Sequence, residues 1–281
     1  METAVKKIAV LSGKGGTGKT FISVNLASII DNAAYIDCDV EEPNGDLFFK
    51  SKNIEKQEVF VKIPKVDMTL CNGCQKCVDF CKFNALTYLP NKLLIFDKLC
   101  HSCGGCVLVC DKKALTEINK EIGNIYVGKS SDVFVVSGKL NIGEATGVPI
   151  IKQLFKYELP VKNIVVDCPP GSSCLVMETI KDADYCLFVV EPTIFGLHNF
   201  KMVLELVKLF NKPFGVVINK YSEESENNIK YFYENNIKII KKIKYDKLIV
   251  EMNSSGLIVS RMFPEYKSLF TDIFEEIKRF I

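Results

Sequence analysis

No stretch of this chain approaches the roughly 18 consecutive apolar residues that a membrane-crossing helix requires. No apolar signal-type segment stands at the N-terminus either. Export and membrane spanning are therefore not expected. A strong charge of one sign is also missing. The 36 basic and 34 acidic residues leave a net charge of +2, too little to make nucleic acid a default partner. Histidine is scarce, with His101 and His198 only, and His198 reads as local structure near a helix start. What the chain does have is twelve cysteines and a hydrophobic content of 48% over 281 residues. That is enough for one substantial core and a small accessory domain.

Eight cysteines form two runs, Cys71, Cys74, Cys77, Cys81 and Cys100, Cys103, Cys106, Cys110, the second repeating the first after 29 residues. Each reads C-x2-C-x2-C-x3-C. Three thiolates at i, i+3 and i+6 on a tight loop can each reach a different iron of one cubane, and the fourth then points at the neighbouring cluster. The expected sets are Cys71, Cys74, Cys77, Cys110 and Cys81, Cys100, Cys103, Cys106. Zinc sites instead pair two C-x2-C knuckles across about a dozen or more residues. A disulfide framework needs an oxidising compartment, for which nothing in the sequence argues. The two segments, TLCNGCQKCVDFCKFNAL and KLCHSCGGCVLVCDKKAL, resemble a bacterial-type two-cluster ferredoxin. Lys82 and Asp111 stand where that pattern usually has proline after the fourth cysteine. Ligation needs no proline, but the field around each cluster differs. His101 reads as a solvated loop side chain, with pH-dependent tuning of a potential as the alternative. Two loaded cubanes would move the net charge from +2 to about −2.

A phosphate loop lies near the N-terminus. The apolar run Lys7–Leu11 leads into Gly13, Lys14, Gly15, Gly16, Thr17, Gly18, Lys19 and Thr20, with a helix-like stretch through Ile30. This is G-x-x-x-x-G-K-[ST] with a strand before it and a helix after it. Glycines let successive amides turn toward phosphate oxygens, and the helix N-terminus adds partial positive charge. Lys19 would bridge the outer phosphates, and the Thr20 hydroxyl would hold magnesium.

With the second lysine, Lys14, the loop resembles the deviant phosphate-loop ATPases of the MinD, Mrp and nitrogenase-iron-protein type. Asp37-Cys38-Asp39 is similar to the family's first switch, and Ile164 to Gly171, with Asp167 ending its apolar run, to its second. Together with the cysteine runs, the chain resembles MinD-like ATPases that carry an inserted two-cluster ferredoxin domain. The resemblance implies that Lys14 crosses a dimer interface to the partner's nucleotide. It implies that Asp37 and Asp39 sense the γ-phosphate, that Asp39 orients the attacking water and that Asp167 binds magnesium through water. Thr20, Asp37, Asp39 and Asp167 are thus the expected magnesium neighbourhood, and Lys14, Lys19 and Asp39 the catalytic groups. The family reads adenine through an asparagine such as Asn219, with Glu191-Pro192-Thr193 near the base. A guanine-reading N-K-x-D would need aspartate at position 222, which is Ser222.

The expected fold is α/β, a doubly wound, mostly parallel phosphate-loop sheet with a small inserted α+β unit. The ATPase would occupy residues 1–60 and 119–281, the ferredoxin-like insert residues 61–118, and Asn119–Val136 a hairpin returning to the sheet. Cluster cysteines and a nucleotide loop together suggest a reducing cytoplasm. Cys38 and Cys186 read as small buried residues. Cys168 and Cys174 flank the second switch, where an inert role is favoured over a metal shared between two chains.

Three functions fit. The resemblance implies an ATPase with ATP, magnesium and two 4Fe–4S clusters, an ATP-dependent homodimer gating electron delivery to an unidentified redox protein. A carrier delivering clusters or metals to an acceptor protein is the alternative, weakened because the Mrp-type C-terminal C-x2-C pair is missing. MinD-like positioning on a membrane is the third. Tyr266, Leu269, Phe270, Ile273, Phe274 and Ile277 form a helical stripe. The span Glu265–Ile281 holds four acidic and three basic residues, so it reads as a helix packed on the sheet and not as a membrane-surface helix.

Overall fold

The apolar runs become the middle of one nine-stranded sheet in the computed structural model, which describes residues 6–281. In chain order the strands are β1 (Lys6–Leu11), β2 (Ala33–Asp37), β3 (Lys52–Val66), β4 (Leu86–Leu89), β5 (Lys92–Ile95) and β6 (Leu115–Ser130). They continue with β7 (Val133–Leu140), β8 (Asn163–Asp167), β9 (Tyr185–Val190), β10 (Phe214–Tyr221) and β11 (Ile239–Lys244). The large sheet runs β11-β10-β9-β1-β8-β2-β7-β6-β3, and β4-β5 is a separate hairpin. From β11 to β7 all neighbours are parallel, and β6 and β3 then pair antiparallel.

Helices cover both faces of the parallel part, which is why β2 and β9 are buried along their whole length. Side-chain alternation divides the core. Ile8 and Val10 join Phe21, Ile22, Phe270, Ile273 and Ile277 on one face. Ala9 and Leu11 join Ile150, Val176, Phe200 and Phe232 on the other. The C-terminal stripe lies on helix Pro264–Lys278, where Phe270, Ile273 and Ile277 are fully buried and Tyr266, Leu269 and Phe274 pack beside them. Among the described residues, no helix is long and apolar enough to cross a membrane.

Parallel order puts the loops after β1, β2, β7, β8, β9 and β10 on one carboxyl edge. The antiparallel strands extend past that edge. Gly123 of β6 pairs with Leu140 at the end of β7, so residues 115–122 project beyond it with β3 alongside up to Val66. β3 is an edge strand, and the exposed Lys52, Lys56, Glu55 and Glu58 along it discourage further pairing. The expected boundaries at 60/61 and 118/119 fall within the ranges of β3 and β6, whose pairing shifts register between Val59 and Phe60. The expected return hairpin is β6–β7, turning at Ser131-Asp132.

Between Val66 and Leu115 lies a small unit with its own core of Ala85, Leu86, Leu93, Cys106 and Leu115. Its backbone reproduces the 29-residue repeat of the sequence. Asp67 N–H donates to the Ala114 carbonyl and, 29 positions along, Phe96 N–H donates to Ala85. Left-handed residues recur in the same register: Gly73 and Ser102, Gln75 and Gly104, Asn84 and Lys113. The two cysteine loops are therefore copies in conformation as well as in composition.

Candidate functional site

The loop between β1 and helix Lys19–Ile29 wraps tightly, with Gly16 at φ 77° and Gly18 at φ 94°. Packing enforces glycine at two positions. A Cβ on Gly13 would lie 2.4 Å from the Asn199 backbone, and one on Gly18 would lie 2.3 Å from Asn219 Nδ2. Asn219 Nδ2 donates to the Thr17 carbonyl at 2.7 Å, so this expected base reader also ties down the phosphate loop. The buried Thr17 hydroxyl has no hydrogen-bond partner among the described residues, whereas the large majority of buried side-chain polar atoms have one. A phosphate oxygen in the loop would supply it.

Lys19 Nζ donates to Asp167 Oδ1 at 2.7 Å and lies 3.8 Å from Asp39 Oδ2. Asp167 also accepts from Ser23 at 3.1 Å and from Tyr35 OH at 2.9 Å. Asp37, one residue from Cys38, takes another part. Its fully buried carboxylate accepts the backbone N–H groups of Asp39, Asn44 and Gly45 at 3.1, 3.1 and 2.9 Å. It shapes the loop 39–45 from behind, and Asp39 is the aspartate that lines the cleft. That cleft, of about 420 Å³, is bordered by Gly15, Gly16, Lys19, Thr20, Asp39 and Asn253 among others. The outer loop is neutralised within the chain. Glu191 meets Lys14 at 2.7 Å and Lys220 at 3.8 Å. Pro192 accepts a hydrogen bond from Asn228. The structure thus gathers Lys14, Lys19, Thr20, Asp39, Asp167, Glu191 and Asn219 around one loop, with Lys14 folded back on its own chain.

The eight cysteines between β3 and β6 divide in space across the two runs. One small cavity is lined by Cys71, Cys74, Cys77 and Cys110, with Tyr88 and Leu93. The other is lined by Cys81, Cys100, Cys103 and Cys106, with Phe83 stacked on His101 at 3.8 Å between ring centroids. Backbone amides already point at sulfur, Ala85 N–H at Cys81 and Ser102 N–H at Cys100, both at 3.4 Å. Among the described residues no three cysteine, histidine or carboxylate side chains converge on one metal ion. Each cavity presents four thiols, the ligand number of a 4Fe–4S cluster.

A model of the CobQ/CobB/MinD/ParA nucleotide binding domain matches residues 8–259. The chain belongs to this family. An uncharacterized protein of Methanocaldococcus jannaschii is 34% identical over 287 aligned residues, covering 98% of this chain and 97% of that one. A 60-residue stretch, 20% of this chain and 19% of the relative, is 38% identical to an iron-sulfur cluster carrier protein of Pyrococcus abyssi. Among solved structures, the cell division ATPase MinD of Pyrococcus furiosus superposes with a TM-score of 0.62 at 18% identity, covering 98% of this chain and 99% of its own. At that identity the likeness speaks for the fold.

The electrostatics of this MinD/ParA-type site follow from packing charges into a dry cleft. Burial alone would lower Lys19, but Asp167 and then Asp39 outweigh it and raise its pKa. Burial lifts Asp39 to about 6 against the pull of Lys19. Asp37 rises through burial and the neighbouring Asp167 charge. Burial pushes the Cys168 thiol up to about 12, and this side chain is enclosed, whereas Cys174 is exposed at the next helix start. The two do not share a surface. Several site groups escape sequence reading. Ser23 stands one helical turn after Lys19, and Tyr35 one strand period before Asp37, both detectable by spacing once a buried aspartate is posited. Asn253 lines the cleft with a buried Oδ1 that has no partner among the described residues, and it arrives from far along the chain with no local signal.

Proposed function

We propose that this protein binds and hydrolyses ATP with magnesium, and that nucleotide-driven switch movement and homodimer closure are coupled to electron transfer from two 4Fe–4S clusters to a partner protein in the cytoplasm. The observation that carries this reading is the sorting of eight cysteines into two crossed sets, on an arm rising from the sheet edge that bears the phosphate loop. Cys71, Cys74, Cys77 and Cys110 would hold one cluster, and Cys81, Cys100, Cys103 and Cys106 the other. The clusters would supply one-electron chemistry.

At the nucleotide, Lys19 and the amides of Gly13–Thr20 would hold the phosphates, and Thr20, Asp39 and Asp167 the magnesium neighbourhood. Asp37 fixes the loop that presents Asp39. Lys14 would leave Glu191 to reach the nucleotide of the second protomer, and Asn219 would face the adenine. Phosphoryl transfer needs chiefly positioning and charge neutralisation, which this set can provide. The test is anaerobic preparation followed by iron and sulfide analysis, with about eight of each expected per chain. A redox titration with and without Mg·ATP, paired with ATP affinity for oxidised and reduced protein, then measures coupling. Identical titrations and identical affinities would rule coupling out. The short similarity to a cluster carrier supports a second reading, in which a cluster passes to an apo-acceptor. Retention of all iron during turnover in the presence of apo-ferredoxin would reject it.

A further inference from the structure

The loop 141–147 after β7 has no part in the chemistry above, yet it touches both halves of the molecule. One side rests on the switches. Leu140 N–H donates to the Val40 carbonyl at 2.8 Å. A Cβ on Gly147 would lie 2.4 Å from Val40 Cγ2 and 3.4 Å from Leu175 Cδ2. Val40 follows Asp39, and Leu175 lies in the helix entered from the Asp167 loop. The other side meets the insert. Glu144 Oε2 accepts from Lys120 Nζ at 2.7 Å, with the two side chains only 10% and 14% exposed. Lys120 Nζ also donates to the Asp97 carbonyl at 3.2 Å and lies 3.5 Å from its carboxylate. That same carbonyl accepts the N–H of Cys100 at 3.3 Å. Lys98, the next residue, packs its ammonium end over Gly143.

We propose that the Lys120–Glu144 ion pair is the joint through which the nucleotide switches and the second cysteine set sense one another. Parting this half-buried pair would leave Glu144 without its cation, whereas Lys120 would keep Asp97, so separation is disfavoured from the Glu144 side. A shift at Val40 or Leu175 displaces loop 141–147. Glu144 then either draws Lys120 and the Asp97–Cys100 turn with it or releases them. Thermodynamic reciprocity requires the reverse path as well: a change at the Cys100 loop must alter nucleotide affinity equally. The proposal rests on the reading that the cleft binds ATP, and it assigns the contact that carries the signal.

Hydrogen exchange read by mass spectrometry tests it. Wild type, Lys120→Met, Glu144→Gln and the double variant are each compared with and without Mg·AMPPNP, whose affinity is measured on the same samples. In wild type the nucleotide should change exchange at residues 97–103 by about fivefold or more. Glu144→Gln keeps the side-chain shape and should lose that response while still binding AMPPNP. Lys120→Met removes the Asp97 contacts as well as the ion pair, so the double variant should lose no more than Lys120→Met alone. Intact binding with no response in wild type, a full response in Glu144→Gln, or additive losses would each overturn the joint alone. No AMPPNP binding by wild type would overturn the proposed function together with the joint.

Discussion

Lys19 carries two separable burdens, and Lys19→Met should show both. In the nucleotide-free protein its ammonium, 7% exposed, neutralises Asp167, itself 1% exposed. Removing one partner of a buried pair costs about 3–5 kcal/mol, chiefly because the other charge stays behind unpaired. Asp167 keeps the hydroxyls of Tyr35 and Ser23, so the lower end, about 3 kcal/mol, is expected. That is roughly a hundredfold in the unfolding constant. In the proposed function the same lysine would supply a charged hydrogen bond to phosphate, which contributes about 1.5–3 kcal/mol, so its removal should cost a ten- to hundredfold loss of ATP affinity. The double variant Lys19→Met/Asp167→Asn separates the two effects. It deletes the stranded charge, so it should recover most of the stability but none of the affinity. Urea unfolding without nucleotide gives the first quantity and calorimetric Mg·ATP titration the second. A double variant as unstable as Lys19→Met would refute the stranded-charge reasoning. Unchanged affinity in either lysine variant would refute the phosphate role.

Gly13→Ala should destabilise by about 1–3 kcal/mol in thermal melts, since its methyl would overlap the Asn199 backbone, which cannot swing aside as a flexible side chain could. Cys110→Ser should lower bound iron toward about four per chain and alter the spectrum of the cluster proposed for Cys71, Cys74 and Cys77. Loss confined to the set containing Cys100 would disprove the crossed ligation. Glu191→Gln frees Lys14 from an ion pair about a quarter exposed, which contributes on the order of 0.5–1 kcal/mol. Sedimentation with a non-hydrolysable ATP analogue should show the dimer at a few-fold lower protein concentration. A dimer unchanged or weakened would mean that Glu191 does not restrain Lys14. Ile273→Ala should cost about 2–5 kcal/mol by opening a cavity between the C-terminal helix and the sheet. A near-zero effect would contradict the burial of that stripe.

Two features were legible in the sequence because their chemistry is local. The phosphate loop needs glycines, a lysine and a helix start within eight consecutive positions. Each cysteine run needs fixed spacing on one short loop, and the 29-residue repeat reappears as matching hydrogen bonds and left-handed residues. Apolar runs such as Ile8–Leu11 likewise announced buried parallel strands, because nothing but cover on both faces permits them. Tertiary structure decided the rest. Asp37 and Asp39 are alike in sequence, yet the strand end turns one inward onto three backbone amides and leaves the other in the cleft. Lys14 finds Glu191, and Asn219 finds Thr17, across separations no periodicity encodes. β3 and β6 pair on both sides of residue 61, with a register shift between Val59 and Phe60, so the expected edge of the cysteine unit falls within paired strands. Lys120 and Glu144 are ordinary surface types in the sequence. Only the antiparallel return of β6 along β7 brings them together, with Lys120 also reaching the Asp97 carbonyl that accepts the Cys100 N–H.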